Sequence, residues 1–350
     1  MSHHARCISS AQPYRRPWLR VAGMLMLGLL FGTAQAEAPP RVVVSIAPIH
    51  SLVAGVMDGV AEPQLLIAAN ASPHAYSLRP SDARSLSQAE LVIWVGEELE
   101  SMLVQPLGNL AGKARIISLA EAEGIWRLPL RSGGVWEAEH QHGERDTHKH
   151  DHQHDHKHDH KHDHKHGQHQ AAAAHAHGEW DSHLWLAPRN ARAIVELLVQ
   201  VLTELDPANQ ARYQANAVQM QTRIARLEQQ LGQQLAPLQS RPYIVFHDAY
   251  RYFEESFSLS PVGSVTVSPE QSPGARRITE IRQIIQQRGA VCVFSEPQFR
   301  PAVVKVVLEG STAGHGELDP LGSTLAPGAG QWFQLMQGLA DSLQQCLAQE

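Results

Sequence analysis

The sequence predicts an α/β protein of two lobes, each with a mostly parallel sheet flanked by helices, joined by one long rigid helix. Short β-branched runs alternate with amphipathic stretches, which is the pattern of parallel sheets. This alternation occurs twice, before and after a long segment rich in Gln, Ala, Arg and Leu. About 314 of the 350 residues remain once the predicted export signal at 1–36 is removed, which is near the size at which a single core usually divides in two.

Eight short apolar runs are the predicted strands. Four of them belong to the first lobe, at 42–46, 64–67, 91–95 and 114–117. The other four belong to the second lobe, at 243–246, 262–267, 291–294 and a short strand at 317–318. We therefore expect an N-terminal lobe over 37–188, inter-lobe helices over 189–238 and a C-terminal lobe over 239–350.

The segment between the lobes predicts one long helix. Asp206 suits an N-cap and Pro207 the first helical position, and the chain up to Leu235 then contains no proline and a single glycine. At ~1.5 Å per residue, roughly 29 residues span about 43 Å, enough to run along two small domains. We expect such a link to allow little hinge closure.

The first 36 residues have the pattern of an export signal. Arg15, Arg16 and Arg20 form a basic region, an apolar stretch follows at 21–31, and 34–36 fits an A-x-A cleavage site. A membrane anchor would need ~20 apolar residues, and this stretch is shorter. We therefore predict a cleaved signal peptide at 1–36 and a periplasmic mature protein, exported by the general secretory or the twin-arginine route.

Charge and cysteine content narrow the function further. Four of the 29 Lys and Arg residues lie in 1–36, so the mature chain carries a formal charge of about −10 against 35 acidic residues, which argues against a nucleic-acid partner. Cys7 is lost with the signal, leaving Cys292 and Cys346. An even pair in an oxidising compartment predicts a disulfide between a strand and the C-terminal helix, whereas a cysteine metal site would have more ligands at C-x-x-C spacing.

Residues 140–177 form a low-complexity segment that holds 15 of the 22 histidines. The tetrapeptide Asp-His-Lys-His occurs three times between 155 and 166. The segment lacks the apolar residues needed for a core, so we predict a disordered loop that binds metal weakly and reversibly. An affinity tag is the alternative, but the segment is internal, long and interleaved with Asp and Lys.

Three of the remaining histidines follow predicted strands or precede helices. His74 lies in a loop between a strand and a helix, and His247 directly follows the first strand of the second lobe. His183 lies before the inter-lobe helices. Ligands of open α/β sheets bind at the carboxyl ends of the strands, so the three imidazoles can meet in one cleft. For each histidine alone, a hydrogen-bonded structural role explains the position equally well.

Five segments carry a family resemblance. They are Ser-Pro-His-Ala-Tyr-Ser-Leu-Arg-Pro-Ser-Asp at 72–82, His-Leu-Trp-Leu at 183–186, Val-Phe-His-Asp-Ala-Tyr at 245–250, Phe-Ser-Glu-Pro-Gln-Phe at 294–299 and Leu-Asp-Pro-Leu-Gly at 318–322. Together they resemble the cluster A-I metal receptors of ABC uptake systems, most closely the zinc-specific members. The resemblance implies two pseudo-symmetric lobes, and Cys292 and Cys346 fall where those members have a disulfide.

The resemblance implies a metal site of His74, His183 and His247. Some relatives have Glu immediately before the first ligand, but Pro73 occupies that position here, so no carboxylate can bind from it. The fourth position is then water or Asp319, which is a ligand in the manganese-binding relatives. Asp319 could instead cap the last helix or orient a histidine.

The other candidates are given supporting roles. We expect Glu296 to be structural or to support a ligand, and His50 and His315 to have structural or loop roles. His315, close in sequence to Asp319, is also a candidate for a second, weaker site.

Three neutral imidazoles with at most one carboxylate suit tetrahedral Zn²⁺, whereas Mn²⁺ prefers more oxygen ligands. We therefore expect a monomeric periplasmic protein, not an enzyme, that captures Zn²⁺ and delivers it to an ABC permease and its ATPase. A manganese- or iron-binding member of the same family is the alternative. A zinc hydrolase, for which no His-Glu-x-x-His motif is present, and a metal buffer are further alternatives.

Overall fold

The structure is a computed structural model, and it describes residues 38–131, 136, 179–266, 269–270, 272–299 and 302–349. The predicted signal peptide at 1–36 and the His-rich segment at 140–177 lie outside these residues, so both stay predictions. Among the described residues, no helix combines the length and apolarity needed to cross a membrane.

The first lobe contains a four-stranded parallel sheet. Its strands are β1 (Val42–Val44), β2 (Gln64–Leu65), β3 (Leu91–Trp94) and β4 (Arg115–Ser118), in the order β2-β1-β3-β4. The central strands are apolar at consecutive positions because helices cover both faces of a parallel sheet. These helices are α1 (Ala47–Val56), α2 (Pro80–Gln88) and α3 (Val104–Leu110).

The second lobe repeats this arrangement. Its strands are β5 (Tyr243–Val245), β6 (Pro261–Ser264), β7 (Cys292–Ser295) and β8 (Gly314–Glu317), all parallel and in the equivalent order β6-β5-β7-β8. The helices are α6 (Arg251–Phe257), α7 (Ala275–Arg288), α8 (Ala302–Leu308) and α9 (Gln331–Leu347). Two pseudo-symmetric α/β lobes are therefore confirmed.

The last strand was predicted at the wrong place. It covers Gly314–Glu317 and not 317–318, because two glycines and a histidine in this strand conceal it from β propensity. Gly316 is required by packing, since a Cβ there would lie 2.5 Å from a ring carbon of Phe294. The glycine at 316 thus follows from the close approach of β8 to β7.

Two helices connect the lobes, α4 (Pro188–Leu205) and α5 (Gln210–Leu235). The long helix was predicted to begin at Pro207, but a 3₁₀ turn occupies 207–209 and α5 begins at Gln210. The side chain of Asp206 does not cap the helix backbone. Its Oδ2 accepts hydrogen bonds from Asn209 and from the hydroxyl of Tyr213 instead. The 26 residues of α5 still span about 39 Å.

One hydrophobic core includes α5 and both lobes. The helix packs against α1, α4 and α9 through a buried stripe of Tyr213, Ala217, Met220, Ile224, Leu227, Leu231 and Leu235. Side chains from β1, β3, β5 and α9 belong to the same core. The small hinge closure predicted for this link stays a prediction.

The predicted disulfide is confirmed. Cys292 at the start of β7 is bonded to Cys346 near the end of α9, with the two Cα atoms 6.2 Å apart. The bond therefore joins a strand to the C-terminal helix, as expected.

Candidate metal centre

Three separate segments bring His74, His183 and His247 together. His74 lies in the loop between β2 and α2, and His247 lies two residues after β5, so both project from the carboxyl edge of a sheet. His183 directly precedes a 3₁₀ turn at Leu184–Leu186 that leads into α4. The first lobe thus contributes two imidazoles and the second lobe contributes one.

The loop that carries His74 is closed by the start of α2. Asp82, in the first turn of this helix, accepts hydrogen bonds of 2.7 Å from the Arg79 amide and from the Tyr76 hydroxyl. An acidic residue at this position also interacts favourably with the helix dipole. The Ser-Pro-His to Arg-Pro-Ser-Asp segment therefore builds a fixed βα loop around His74.

The three imidazoles are close enough to share one ion. One ring nitrogen from each lies within 4.8 Å of the others, and among the described residues this is the one such group of three potential ligands. The Nε2 atoms of His183 and His247 are 3.4 Å apart. These two rings are buried, and His74 is half-buried.

Two buried carboxylates orient two of the rings. The Nδ1 of His183 lies 2.8 Å from Asp181 Oδ1, and the Nδ1 of His247 lies 2.7 Å from Glu296 Oε1. Since a carboxylate accepts the Nδ1 proton, each Nε2 is left with a free lone pair. Glu296 thus has the supporting role expected from the sequence.

Asp181 was missed by the sequence analysis. It also accepts a hydrogen bond from the backbone amide of His183, at 2.9 Å. The Asp-x-His spacing at 181–183 is the one feature that could have indicated it, because a carboxylate two residues before a histidine can close back on its ring.

The environment keeps His74 neutral. Burial lowers the pKa of His74 well below 6.5, and the neighbouring His183 and His247 lower this pKa further. A neutral imidazole is the form that binds a metal ion. The cluster therefore needs no deprotonation of His74 at neutral pH before an ion binds.

The structure does not bring Asp319 into the group of three histidines. Its Oδ1 accepts hydrogen bonds from the amides of Leu321 and Gly322 and from Nε2 of Gln298, and its Oδ2 accepts two from Ser323. These bonds hold the turn that follows β8. The helix α9 begins only at Gln331, so Asp319 does not cap it either.

The two other histidines among the described residues have structural contacts. His50 is buried in α1, with its Nε2 2.8 Å from the Pro63 carbonyl oxygen. His315 lies on β8, with its Nε2 3.0 Å from Ser295 Oγ. Within the described part of the chain, neither belongs to a group of three potential ligands, so a second site at His315 gains no support.

The cavity at the cluster is small and lined by both polar and apolar side chains. Besides the histidines, its lining includes Pro73, Trp185, Phe299, Pro320 and Leu321. Its volume of about 10 Å³ is close to that of one water-sized sphere. A space of this size suits an ion.

Comparison with known structures gives the fold. A crystal structure of ZnuA superposes with a TM-score of 0.68 at 22% identity, covering 88% of this chain and 99% of that one. The periplasmic zinc-binding protein TroA of Treponema pallidum gives a TM-score of 0.66 at 18% identity, covering 89% and 100%. The chain thus has the two-lobed fold of these periplasmic binding proteins.

Sequence comparison gives the family. The family model described as "ZnuA: Zinc-uptake complex component A periplasmic" matches residues 42–346. The high-affinity zinc uptake system protein ZnuA of Brucella suis is 42% identical over 317 residues, which cover 91% of this chain and 94% of the relative. The chain therefore belongs to the ZnuA family, and the resemblance carried by the five segments is confirmed.

Proposed function

We propose that the chain captures one Zn²⁺ between its lobes with His74, His183 and His247 and delivers it to an ABC permease for import. The observation that carries the proposal is the convergence of three imidazole nitrogens from both lobes, two of them on rings oriented by buried carboxylates. Membership of a family described by periplasmic zinc uptake supports the same conclusion.

The spacing of two of the three nitrogens matches a tetrahedral zinc site. In a tetrahedral site with Zn–N of about 2.0–2.1 Å, two nitrogens lie roughly 3.3 Å apart. The Nε2 atoms of His183 and His247 are 3.4 Å apart. Because Asp319 is engaged by its own turn, water completes the coordination. The manganese and iron alternatives are less well supported, since those ions favour more oxygen ligands.

Capture fits the site better than catalysis does. A zinc hydrolase needs space for a substrate beside the metal-bound water. The cavity beside the histidines admits about one water-sized sphere, which matches the fourth ligand of an ion better than it matches a substrate. We therefore propose a binding protein, not an enzyme.

The proposed setting is the periplasm, where the chain acts as a monomer. Its partners are the membrane permease and the ATPase that drives it. A metal buffer that never meets a permease is the competing function, and zinc-limited growth separates the two. Loss of growth under zinc limitation on deletion of the gene, with rescue by added zinc, is expected for an importer.

The ligand assignment is tested by replacing each histidine with alanine and titrating Zn²⁺ in competition with a chelator. We expect each of His74→Ala, His183→Ala and His247→Ala to weaken the tightest site by more than about 100-fold, because loss of an orienting partner alone typically costs 10- to 100-fold. His50→Ala is the matched control and should keep that site. Tight binding retained in all three variants would refute the assignment, and a tighter site for Mn²⁺ would favour the manganese alternative.

A further inference from the structure

Backbone hydrogen bonds pair the segment that precedes residue 132 with the segment that follows residue 178. We call residues 128–131 and 179–181 the neck. Pro129 and Trp180 form an antiparallel bridge, the amide of Asp181 donates to the Leu128 carbonyl at 2.8 Å, and the amide of Leu130 donates to the Glu179 carbonyl at 3.3 Å. The neck therefore has a defined backbone structure of its own.

One hydroxyl from the second lobe binds both sides of the neck. Tyr252, on α6, accepts a hydrogen bond from the Leu128 amide at 3.0 Å and donates one to the Asp181 carbonyl at 2.9 Å. Its side chain is fully buried, and its ring packs edge-on against Trp126. Because buried backbone groups need partners, removal of this hydroxyl would leave one donor and one acceptor unsatisfied.

The neck leads directly to His183. Asp181, whose backbone is held by Tyr252 and Leu128, uses its carboxylate to orient the His183 ring. Asp181 is therefore the one residue between the Tyr252 hydroxyl and the His183 ring: its carbonyl binds the hydroxyl, and its carboxylate binds the ring.

A second contact joins the neck to His247. The guanidinium of Arg131 pairs with Asp248, the residue after His247, at 2.6 Å, and also with Glu254 on α6. Glu254 in turn accepts a hydrogen bond from the hydroxyl of Tyr243 on β5, the strand that precedes His247. The side chains of Arg131, Asp248 and Glu254 are 15%, 17% and 2% exposed, so these are not solvated surface pairs.

We propose that the neck is a clamp that holds the rings of His183 and His247 at the separation needed to bind one ion. Tyr252 and Arg131 are the positioning residues of this metal site. The proposal rests on the zinc-binding function proposed above. A site whose ligands come from two lobes binds more tightly when the lobes are held in the binding geometry before the ion arrives, because less order must be gained on binding. Loosening the clamp should therefore release zinc faster.

A matched pair of tyrosines tests the proposal in the full chain. Tyr213 is as fully buried as Tyr252 and donates its hydroxyl to Asp206 at 2.7 Å, but it lies on α5. Tyr252→Phe and Tyr213→Phe each remove one buried hydroxyl, so both should lower the melting temperature. Only Tyr252→Phe should raise the rate of zinc release from the tightest site, by about 10-fold, measured by stopped-flow transfer to a fluorescent chelator.

Arg131 provides an independent test if Tyr252→Phe fails to fold. Arg131→Met should release zinc faster, and Arg131→Lys should restore part of the slow release because it keeps the charge beside Asp248. Arg192→Met, which removes the ion pair with Glu228, is the control and should leave the rate unchanged.

Two results separate this proposal from the function on which it rests. If Tyr252→Phe and Arg131→Met fold and release zinc at the wild-type rate, the clamp is refuted while the three-histidine site stands. If the tight site survives every histidine replacement, the proposed function is refuted instead. The visible absorption of the Co²⁺-loaded protein adds a second readout, since a misplaced imidazole should change the spectrum in Tyr252→Phe but not in Tyr213→Phe.

Discussion

At the scale of single residues, the geometry of the site depends on which carboxylates accept hydrogen bonds from the histidine rings. Asp181 and Glu296 are each buried beside one histidine, where they fix the position of the Nδ1 proton and raise the basicity of the ring. Asp319 is also a carboxylate near the cleft, but both of its oxygens accept hydrogen bonds from backbone amides of its own turn and from the side chains of Ser323 and Gln298. The hydrogen-bond donors around each carboxylate thus decide whether it orients a ligand or shapes a loop.

Glu296→Gln should weaken zinc binding without removing the site. The amide keeps an oxygen that can accept the Nδ1 proton of His247, but it loses the negative charge that favours the ion. We expect the dissociation constant to rise by roughly 10-fold, the lower end of what such partners contribute. Competition titration with a chelator measures it, and an unchanged constant would show that the charge of Glu296 does not act on the ion.

At the scale of elements, the disulfide and the metal site lie at opposite ends of β7. Cys292 begins the strand, and Glu296 follows its last residue. Four residues of extended chain separate them by roughly 13 Å. The disulfide therefore stabilises the packing of α9 on the sheet, and the carboxyl end of the same strand supports the ligand.

Replacing Cys292 and Cys346 together by alanine should destabilise the fold and leave zinc affinity unchanged. The cysteines are 54 residues apart, and a loop of this size corresponds to about 4 kcal/mol in the chain-entropy model. Denaturant unfolding of the zinc-free protein measures the loss. A large drop in zinc affinity in the folded variant would mean that α9 helps to position the site.

The elements also show where sequence patterns succeed and fail. The strands rich in Val and Ile were placed correctly because an apolar run bounded by turns is a local property. The strand at Gly314–Glu317 was misplaced because Gly316 is required by the ring of Phe294 in the neighbouring strand. A contact between strands leaves no local pattern.

At the scale of the whole molecule, tryptophans tie the segments around the site together. The indole of Trp185, two residues after His183, donates to the Pro320 carbonyl in the second lobe, and the indole of Trp332 donates to the Trp185 carbonyl. The amide of Trp332 in turn binds Ser51 on α1. These bonds therefore connect the segment after His183 to the turn after β8, to α9 and to α1.

Separation along the chain explains which residues of the site could be predicted from the sequence. The three histidines were identified because their loops combine a family resemblance with positions beside predicted strands and helices. Tyr252 and Arg131 were not identified, because their partners are distant in sequence. Tyr252 contacts Asp181, 71 residues away, and Arg131 contacts Asp248, 117 residues away. Only the folded structure shows those pairs.

The neck also allows a prediction of which zinc sites survive when the His-rich segment is removed. Deleting 140–177 leaves residues 128–131 and 179–181 in place, so the bridge between Pro129 and Trp180 and the bonds to Tyr252 can form without the segment. We expect one tight zinc site to survive and several weaker ones to disappear. The weaker sites follow from composition, since 15 histidines in a segment whose only apolar residues are alanines must be ordered each time an ion binds.

Calorimetric titration of Zn²⁺ into the full-length and the deleted protein measures both classes of site. The tight class should keep its stoichiometry of one and its affinity within about threefold, because the clamp and all three ligands lie outside the deletion. A combined variant, the deletion with His247→Ala, should then bind no zinc tightly. If the deletion alone abolishes the tightest class, the His-rich segment contributes a ligand to it, and the cleft of three histidines is not the primary site.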